Sequence, residues 1–209
     1  MSAAPFLLAT RSAGKLRELR PFFAESGFEV IDLNEAGLPE RAEEHSLEAF
    51  ATFEENALAK ARCFFERSGG MTTIADDSGL EVEALGGAPG VLSKRWSGRA
   101  DLTGPELDSA NNTHLLEALA GELNRRARYV CVAALVARST EVVERGVATG
   151  MILDRPRGEA GFGYDPYFFS DELHATFAEV DRQTKERVSH RGRAFRALLD
   201  ALPNERPRG

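Results

Sequence analysis

Thr72-Thr73-Ile74-Ala75-Asp76-Asp77-Ser78-Gly79 sets two adjacent carboxylates, a hydroxyl and a glycine behind a short β-branched and apolar run. Thr72 to Ala75 have the composition of a buried strand, and the acidic stretch is expected to end it in a turn. Such a strand delivers carboxylates to the edge of a sheet, where open α/β folds bind their ligands. Two carboxylates there can hold Mg²⁺, which takes a few protein oxygens and keeps water and substrate phosphates as its other ligands. The same residues also make an ordinary Asp-Ser-Gly turn, so the rest of the chain must decide between the two.

Four further stretches carry chemistry. Arg11-Ser12-Ala13-Gly14-Lys15 follows an apolar run and precedes a helical pattern. A turn at a helix start with one ammonium outlines a phosphate cradle, although the early glycine and the Ser/Thr of a Walker A loop are absent. Glu48, Thr52, Asn56 and Lys60 recur every fourth residue. That row is either a solvated face or a cleft wall of an acid, two hydrogen-bonding groups and a cation. Gly161-Phe162-Gly163-Tyr164-Asp165-Pro166 offers aromatics on a glycine-rich loop, suited to stacking on a flat ring or to pinning the loop to a core. Lys185, Ser189, His190 and Arg191 supply donors for phosphate or carbonyl oxygens. Of 26 Lys plus Arg, only Lys15, Lys60, Lys94 and Lys185 are Lys, and a compact ammonium is not equivalent to a guanidinium fork.

The elements that must position these groups follow from periodicity. Phe6–Thr10, Phe28–Leu33, Leu80–Leu85, Tyr129–Ala137, Glu141–Leu153 and Tyr167–Phe169 are predicted strands. Helices are predicted over Leu16–Glu25, Leu47–Arg67, Gly104–Leu123 and Ala194–Leu202. Asn34–Glu44 reads as a loop, Val91–Ser97 as the return leg of a hairpin with Arg95 and Trp96, and Pro203–Gly209 as a loose tail.

At 209 residues the chain can bury one core, or one core with a smaller lobe. Its net charge of −7 disfavours a polynucleotide partner, but a small anion can still bind in a local basic pocket. No apolar run reaches bilayer length, and residues 1–5 are too short for a signal peptide. Cys63 and Cys131 read as small buried hydrophobes. The expectation is a cytoplasmic protein with no membrane contact.

Taken in order, Thr10 to Lys15, Thr52 to Ala57 with Lys60-Ala61-Arg62, Ile74 to Leu80, Leu85 to Gly90, Phe162 to Pro166 and Ser189 to Gly192 resemble the inosine triphosphatase family, also called Ham1-like or RdgB-like. The resemblance runs from about residue 6 to 202. It implies an α/β, two-lobed fold with a long central mixed β-sheet flanked by helices and an active-site cleft between the lobes, so that residues 1–209 form one two-lobed domain. It implies a homodimer. It implies Mg²⁺-dependent hydrolysis of ITP, dITP and XTP to the monophosphate and pyrophosphate, which keeps deaminated purines out of DNA and RNA.

Carried over residue by residue, Thr10, Arg11, Ser12, Ala13, Gly14 and Lys15 would hold the triphosphate. Glu48 and Asp77 would bind metal, and Asp77 would also accept the water's proton. Ser78 would touch substrate, with Lys60 and Arg95 near it. Phe162, Gly163, Tyr164, Asp165, Lys185, His190 and Arg191 would recognise the base and nearby groups. The family usually has Asn where this chain has Ser12; a hydroxyl replaces one amide contact but not two. Two other readings stand beside this one: a Maf-like pyrophosphatase for other modified nucleotides, and a nucleotide sensor without turnover.

Overall fold

The computed structural model describes residues 4–202. Among them a seven-stranded mixed sheet forms in the order β2-β1-β3-β4-β5-β6-β7. The strands are β1 (Phe6–Leu8), β2 (Val30–Asp32), β3 (Thr73–Val82), β4 (Arg126–Val136), β5 (Glu141–Ile152), β6 (Phe168–Ser170) and β7 (Ala175–Thr176). The helices are α1 (Ala13–Glu25), α2 (Phe53–Arg67), α3 (Gly104–Ala118), α4 (Arg182–Val188) and α5 (His190–Asp200). β1 runs parallel to β2 and β3, whereas β6 is antiparallel to β5 and β7. This is an α/β fold with an open sheet. No helix of the described residues is long and apolar enough to cross a membrane.

The chain divides into two compact units. The first comprises Met1–Asp77, Cys131–Arg145 and Ala194–Gly209; the second comprises Ser78–Val130 and Gly146–Arg193. In the first, β1 is buried throughout because Phe6, Leu7 and Leu8 are an unbroken apolar run, as a strand covered on both faces requires. Leu19, Phe22 and Phe23 of α1 pack with Phe195 and Leu198 of α5 around Ile74, Cys131 and Leu135. Edge-to-face ring pairs join Phe22 and Phe23 to Phe195 at 6.1 and 5.7 Å. Each such ring contributes ~1.5–3 kcal/mol by leaving water. The second unit has its own core of Leu80, Val82, Leu115, Leu119, Tyr129, Tyr164, Phe168 and Phe177.

Local turn chemistry gives way to tertiary pairing at β3. Asp76-Asp77-Ser78-Gly79 does not end the strand; it lies inside ten continuous strand residues. β1 pairs with β3 at Thr73 and Ile74, before the acidic stretch, and β4 flanks β3 on its other side; pairing along that side outweighs the turn preference of Asp and Gly. The helix predicted over Leu47–Arg67 starts later, at Phe53. Thr52 is its N-cap: Thr52 Oγ1 accepts from the Glu55 N–H at 3.2 Å and donates to Glu55 Oε2 at 2.7 Å. Glu48 instead ends a 3₁₀ segment, Ala42–Glu48, where a loop was expected up to Glu44, and Phe50 is 46% exposed and not on the apolar stripe.

Other boundaries shift for similar reasons. The return leg at 91–97 is a 3₁₀ segment, Gly90–Arg95, not a strand. Asp181 caps the short α4, its side chain accepting from the Thr184 N–H at 2.7 Å; no apolar period announces so short a helix. The last helix begins at His190, not Ala194. Cys63 is half-buried and Cys131 buried, neither in a disulfide, and Cys131 Sγ lies 3.7 Å from Asp76 Oδ2. The predicted loose tail, 203–209, lies outside the described residues.

Candidate functional site

In the first unit six side chains, those of Lys15, Glu48, Asn56, Lys60, Asp76 and Asp77, meet around the end of that unit's share of β3. Lys60 Nζ stands 2.8 Å from Glu48 Oε1 and 3.8 Å from Asp77 Oδ1, and it also donates to the Asp76 carbonyl. Lys15 Nζ lies 2.9 Å from Asp76 Oδ2 and 3.3 Å from the Asp76 carbonyl oxygen. Asn56, wholly buried, donates from Nδ2 to Asp77 Oδ2 at 2.9 Å. Its Oδ1 accepts from the Phe50 N–H at 3.0 Å, so one amide holds both Asp77 and the segment next to Glu48.

Helical spacing explains the convergence. Asn56 and Lys60 are one turn apart on α2, and both are buried with the apolar stripe. Burial raises the pKa of Asp77 against the opposing pull of Lys60 and Lys15, and the Glu48 charge adds to the rise. Burial alone would lower Lys60, but the charges of Glu48, Asp77 and Asp76 outweigh it and raise its pKa. The cluster is therefore a carboxylate under desolvation strain beside an ammonium that stays charged.

The turn before α1 has the form of an anion site. Thr10 Oγ1 accepts from the Ser12 N–H at 3.2 Å, and Ser12 Oγ caps the helix by accepting from the Lys15 N–H at 3.4 Å. Ala13 and Gly14 open the helix, whose first turn carries no acid, so its N–H groups and positive dipole end are available to phosphate. Arg11 points elsewhere. Its guanidinium grips Glu44 through Nε–Oε2 at 3.1 Å and Nη2–Oε1 at 3.0 Å, and reaches the Leu38 carbonyl at 2.9 Å. Arg67 meets the same Glu44 oxygen as Arg11 Nη2, at 2.7 Å.

The second unit gathers the remaining predicted residues. Lys185 Nζ pairs with Asp165 Oδ2 at 2.6 Å, both buried. Asp165 Oδ2 also accepts the Phe162 N–H at 2.9 Å. Lys185 Nζ and the Arg191 guanidinium lie 5.2 and 5.7 Å from the Phe162 ring centre. Arg191 Nη2 donates to Ser78 Oγ at 2.9 Å. His190 stacks on Tyr129 at 4.4 Å between ring centres. Tyr164 belongs to the core: its hydroxyl donates to the Ser93 carbonyl at 2.7 Å, and burial pushes its pKa up so that it stays protonated. Half-buried Phe162 is the ring of this loop left for stacking. Arg95 closes the 3₁₀ segment and is exposed; the bond that joins this segment to the loop runs through Ser93, two residues earlier.

Sequence patterns mark Asp76 only as one of two adjacent carboxylates and Asn56 only as one step of an i, i+4 row, and they single out neither Asp108 nor Asn112; none of the four is marked as a partner of these groups.

A family model described as the Ham1 family matches residues 6–201. The chain is 43% identical over 199 residues to a dITP/XTP pyrophosphatase of Ralstonia nicotianae, covering 94% of this chain and 95% of that protein. It is 45% identical to one of Burkholderia pseudomallei, covering 94% and 92%. Among solved structures, a HAM1 protein from Coxiella burnetii superposes with a TM-score of 0.81 at 36% identity, covering 96% of this chain and 98% of that one. A nucleoside-triphosphatase/dITP/XTP pyrophosphatase from Mycobacterium abscessus gives 0.70 at 42% identity, covering 94% and 99%.

Proposed function

The chain belongs to the Ham1 family, and we propose that it hydrolyses dITP, XTP and ITP to the nucleoside monophosphate and pyrophosphate. The observation that carries this reading is Lys60, which holds Glu48 and Asp77 about one ammonium. Two carboxylates from distant segments converge there, one able to take a proton from water and both able to bind a hard cation beside a phosphate.

The donor set fits Mg²⁺. Glu48 and Asp77 offer hard oxygens, and Asp77 is a carboxylate that burial has left in want of positive charge. Among the described residues no group of three or more His, Cys, Asp or Glu is placed to hold an ion by itself; two carboxylates suffice for a cation that keeps water and phosphate ligands. When bound, such an ion neutralises phosphate charge and acidifies water. Asp77 accepts the proton of the attacking water. Lys15, Lys60 and the N–H groups opening α1 neutralise charge on the phosphate oxygens. Arg11 contributes its backbone to this cradle, its side chain being committed to Glu44.

In the second unit Phe162 stacks on the base, and Lys185, oriented by Asp165, donates towards the oxygen at position 6. Adenine carries an amino group there and would leave that donor unmet, which discriminates strongly. His190 and Arg191 contact groups nearby, with Arg191 bonded to Ser78. We further propose that the protein works as a homodimer, as the family resemblance implies, and that it acts in the cytoplasm. A panel of purine triphosphates with separate detection of pyrophosphate and orthophosphate, with Mg²⁺ and with chelator, tests the reading. Metal-dependent pyrophosphate from ITP, dITP and XTP, but not ATP, is expected. Orthophosphate as the only product would overturn it, and preferred turnover of methylated pyrimidine triphosphates would select a Maf-like activity.

A further inference from the structure

Gly163 in the base-facing loop is gripped at both of its backbone groups by one helix. Asp108 Oδ2 accepts the Gly163 N–H at 2.8 Å. Asn112 Nδ2 donates to the Gly163 carbonyl at 2.9 Å and to the Asp108 carbonyl at 2.8 Å. The two side chains are four residues apart on α3 and so share a face. Asn112 is buried, and its Oδ1 has no hydrogen-bond partner among the described residues, so the amide works through its donors. Gly163 has φ +63° with nothing within 4 Å of a Cβ; what holds this left-handed residue is the pair of hydrogen bonds, not packing. On either side of it, Phe162 is tied through its N–H to Asp165, and Tyr164 through its hydroxyl to Ser93.

We propose that Asp108 and Asn112 are positioning residues for base selection, resting on the pyrophosphatase reading above. They lock the backbone of Phe162-Gly163-Tyr164-Asp165, so that the Phe162 ring and the Asp165–Lys185 pair keep one geometry towards the base. Hypoxanthine and guanine share the oxygen at position 6, so Lys185 alone does not separate them. Guanine places an amino donor at position 2, where hypoxanthine has hydrogen and xanthine an oxygen of similar size, so guanine is turned away by unmatched donors and not by bulk, and only while the polar groups of the loop cannot swing aside. Two hydrogen bonds from a helix make the loop unyielding.

Asp108→Ala and Asn112→Ala test this, with Asp108→Asn as the conservative control that keeps an accepting oxygen. The preference for ITP over GTP, as a ratio of kcat/KM, should fall by about tenfold in each alanine variant. KM for ITP should rise more than kcat falls, and amide exchange in residues 161–166 should quicken. Asp108→Asn should restore the ratio. An unchanged ratio in folded alanine variants, with all substrates losing activity alike, would overturn the inference by reducing the pair to ordinary support. If Asn112→Ala does not fold, half-buried Asp108 carries the test. A wild-type protein that releases no pyrophosphate from ITP would defeat the underlying reading, not the clamp, which amide exchange still reports.

Discussion

Asp77 carries a contradiction that chemistry can exploit: it is buried, and burial raises its pKa even with two lysines nearby. Its folded value lies above the unfolded one. The metal-free fold therefore takes stability from the protonated acid at low pH and loses it as pH rises through the raised value. Asp77→Asn should abolish pyrophosphate release yet unfold at a higher temperature than wild type in chelator at neutral pH. The gap should close as pH falls below the ordinary value of 3.8, where both proteins carry a neutral group. Thermal melts across pH check this; an asparagine variant less stable throughout would show that the lysines, not desolvation, dominate. Ser12 is a second test. Its cap to Lys15 is long, 3.4 Å, so Ser12→Ala should cost ~0.5 kcal/mol, the low end for caps. Ser12→Asn keeps a capping oxygen and adds an amide donor, so equal stability with a lower KM for ITP is expected from melts and kinetics. Asp76-Asp77 and the scarce lysines were legible in the sequence because residue type alone marks them. Asn56, Asp108 and Asn112 were not, because a buried amide declares its partner only once the fold brings that partner close.

Elements were legible where period and composition agreed, and illegible where a cap or a neighbour decided. β4 announced itself by its apolar run, and α1 by its spacing. The start of α2 is set by a cap and not by the apolar period: Thr52 Oγ1 accepts the Glu55 N–H and bonds the Glu55 carboxylate. Thr52→Ala should therefore cost ~1 kcal/mol by urea unfolding with the slope unchanged, and Thr52→Ser should cost much less; equal loss in both would assign the effect to packing of the methyl group. The acidic stretch of β3 reads as a turn because Asp-Asp-Ser-Gly carries turn chemistry, and only tertiary pairing beside β4 overrides it. That override matters for function: a strand, not a flexible turn, presents Asp77, and Asn56 holds its carboxylate.

For the molecule as a whole, each of the two units has its own apolar core, and each holds one half of the proposed chemistry. The phosphate and metal groups stand on the first, the base-reading groups on the second. Composition foresaw little of this beyond an acidic globular chain, since a net charge of −7 coexists with a local gathering of Lys15 and Lys60. Long-range convergence is a property of topology, and only the ordered series of motifs hinted at it. The proposed homodimer predicts twice the chain mass by sedimentation at micromolar concentration; the mass of a single chain, with full activity, would remove the dimer from the account. The central claim is that water attacks the innermost phosphorus under the control of Asp77. Hydrolysis of ITP in ¹⁸O-enriched water measures this directly. One labelled oxygen should appear in the inosine monophosphate and none in the pyrophosphate; label in the pyrophosphate, or in orthophosphate, would contradict it.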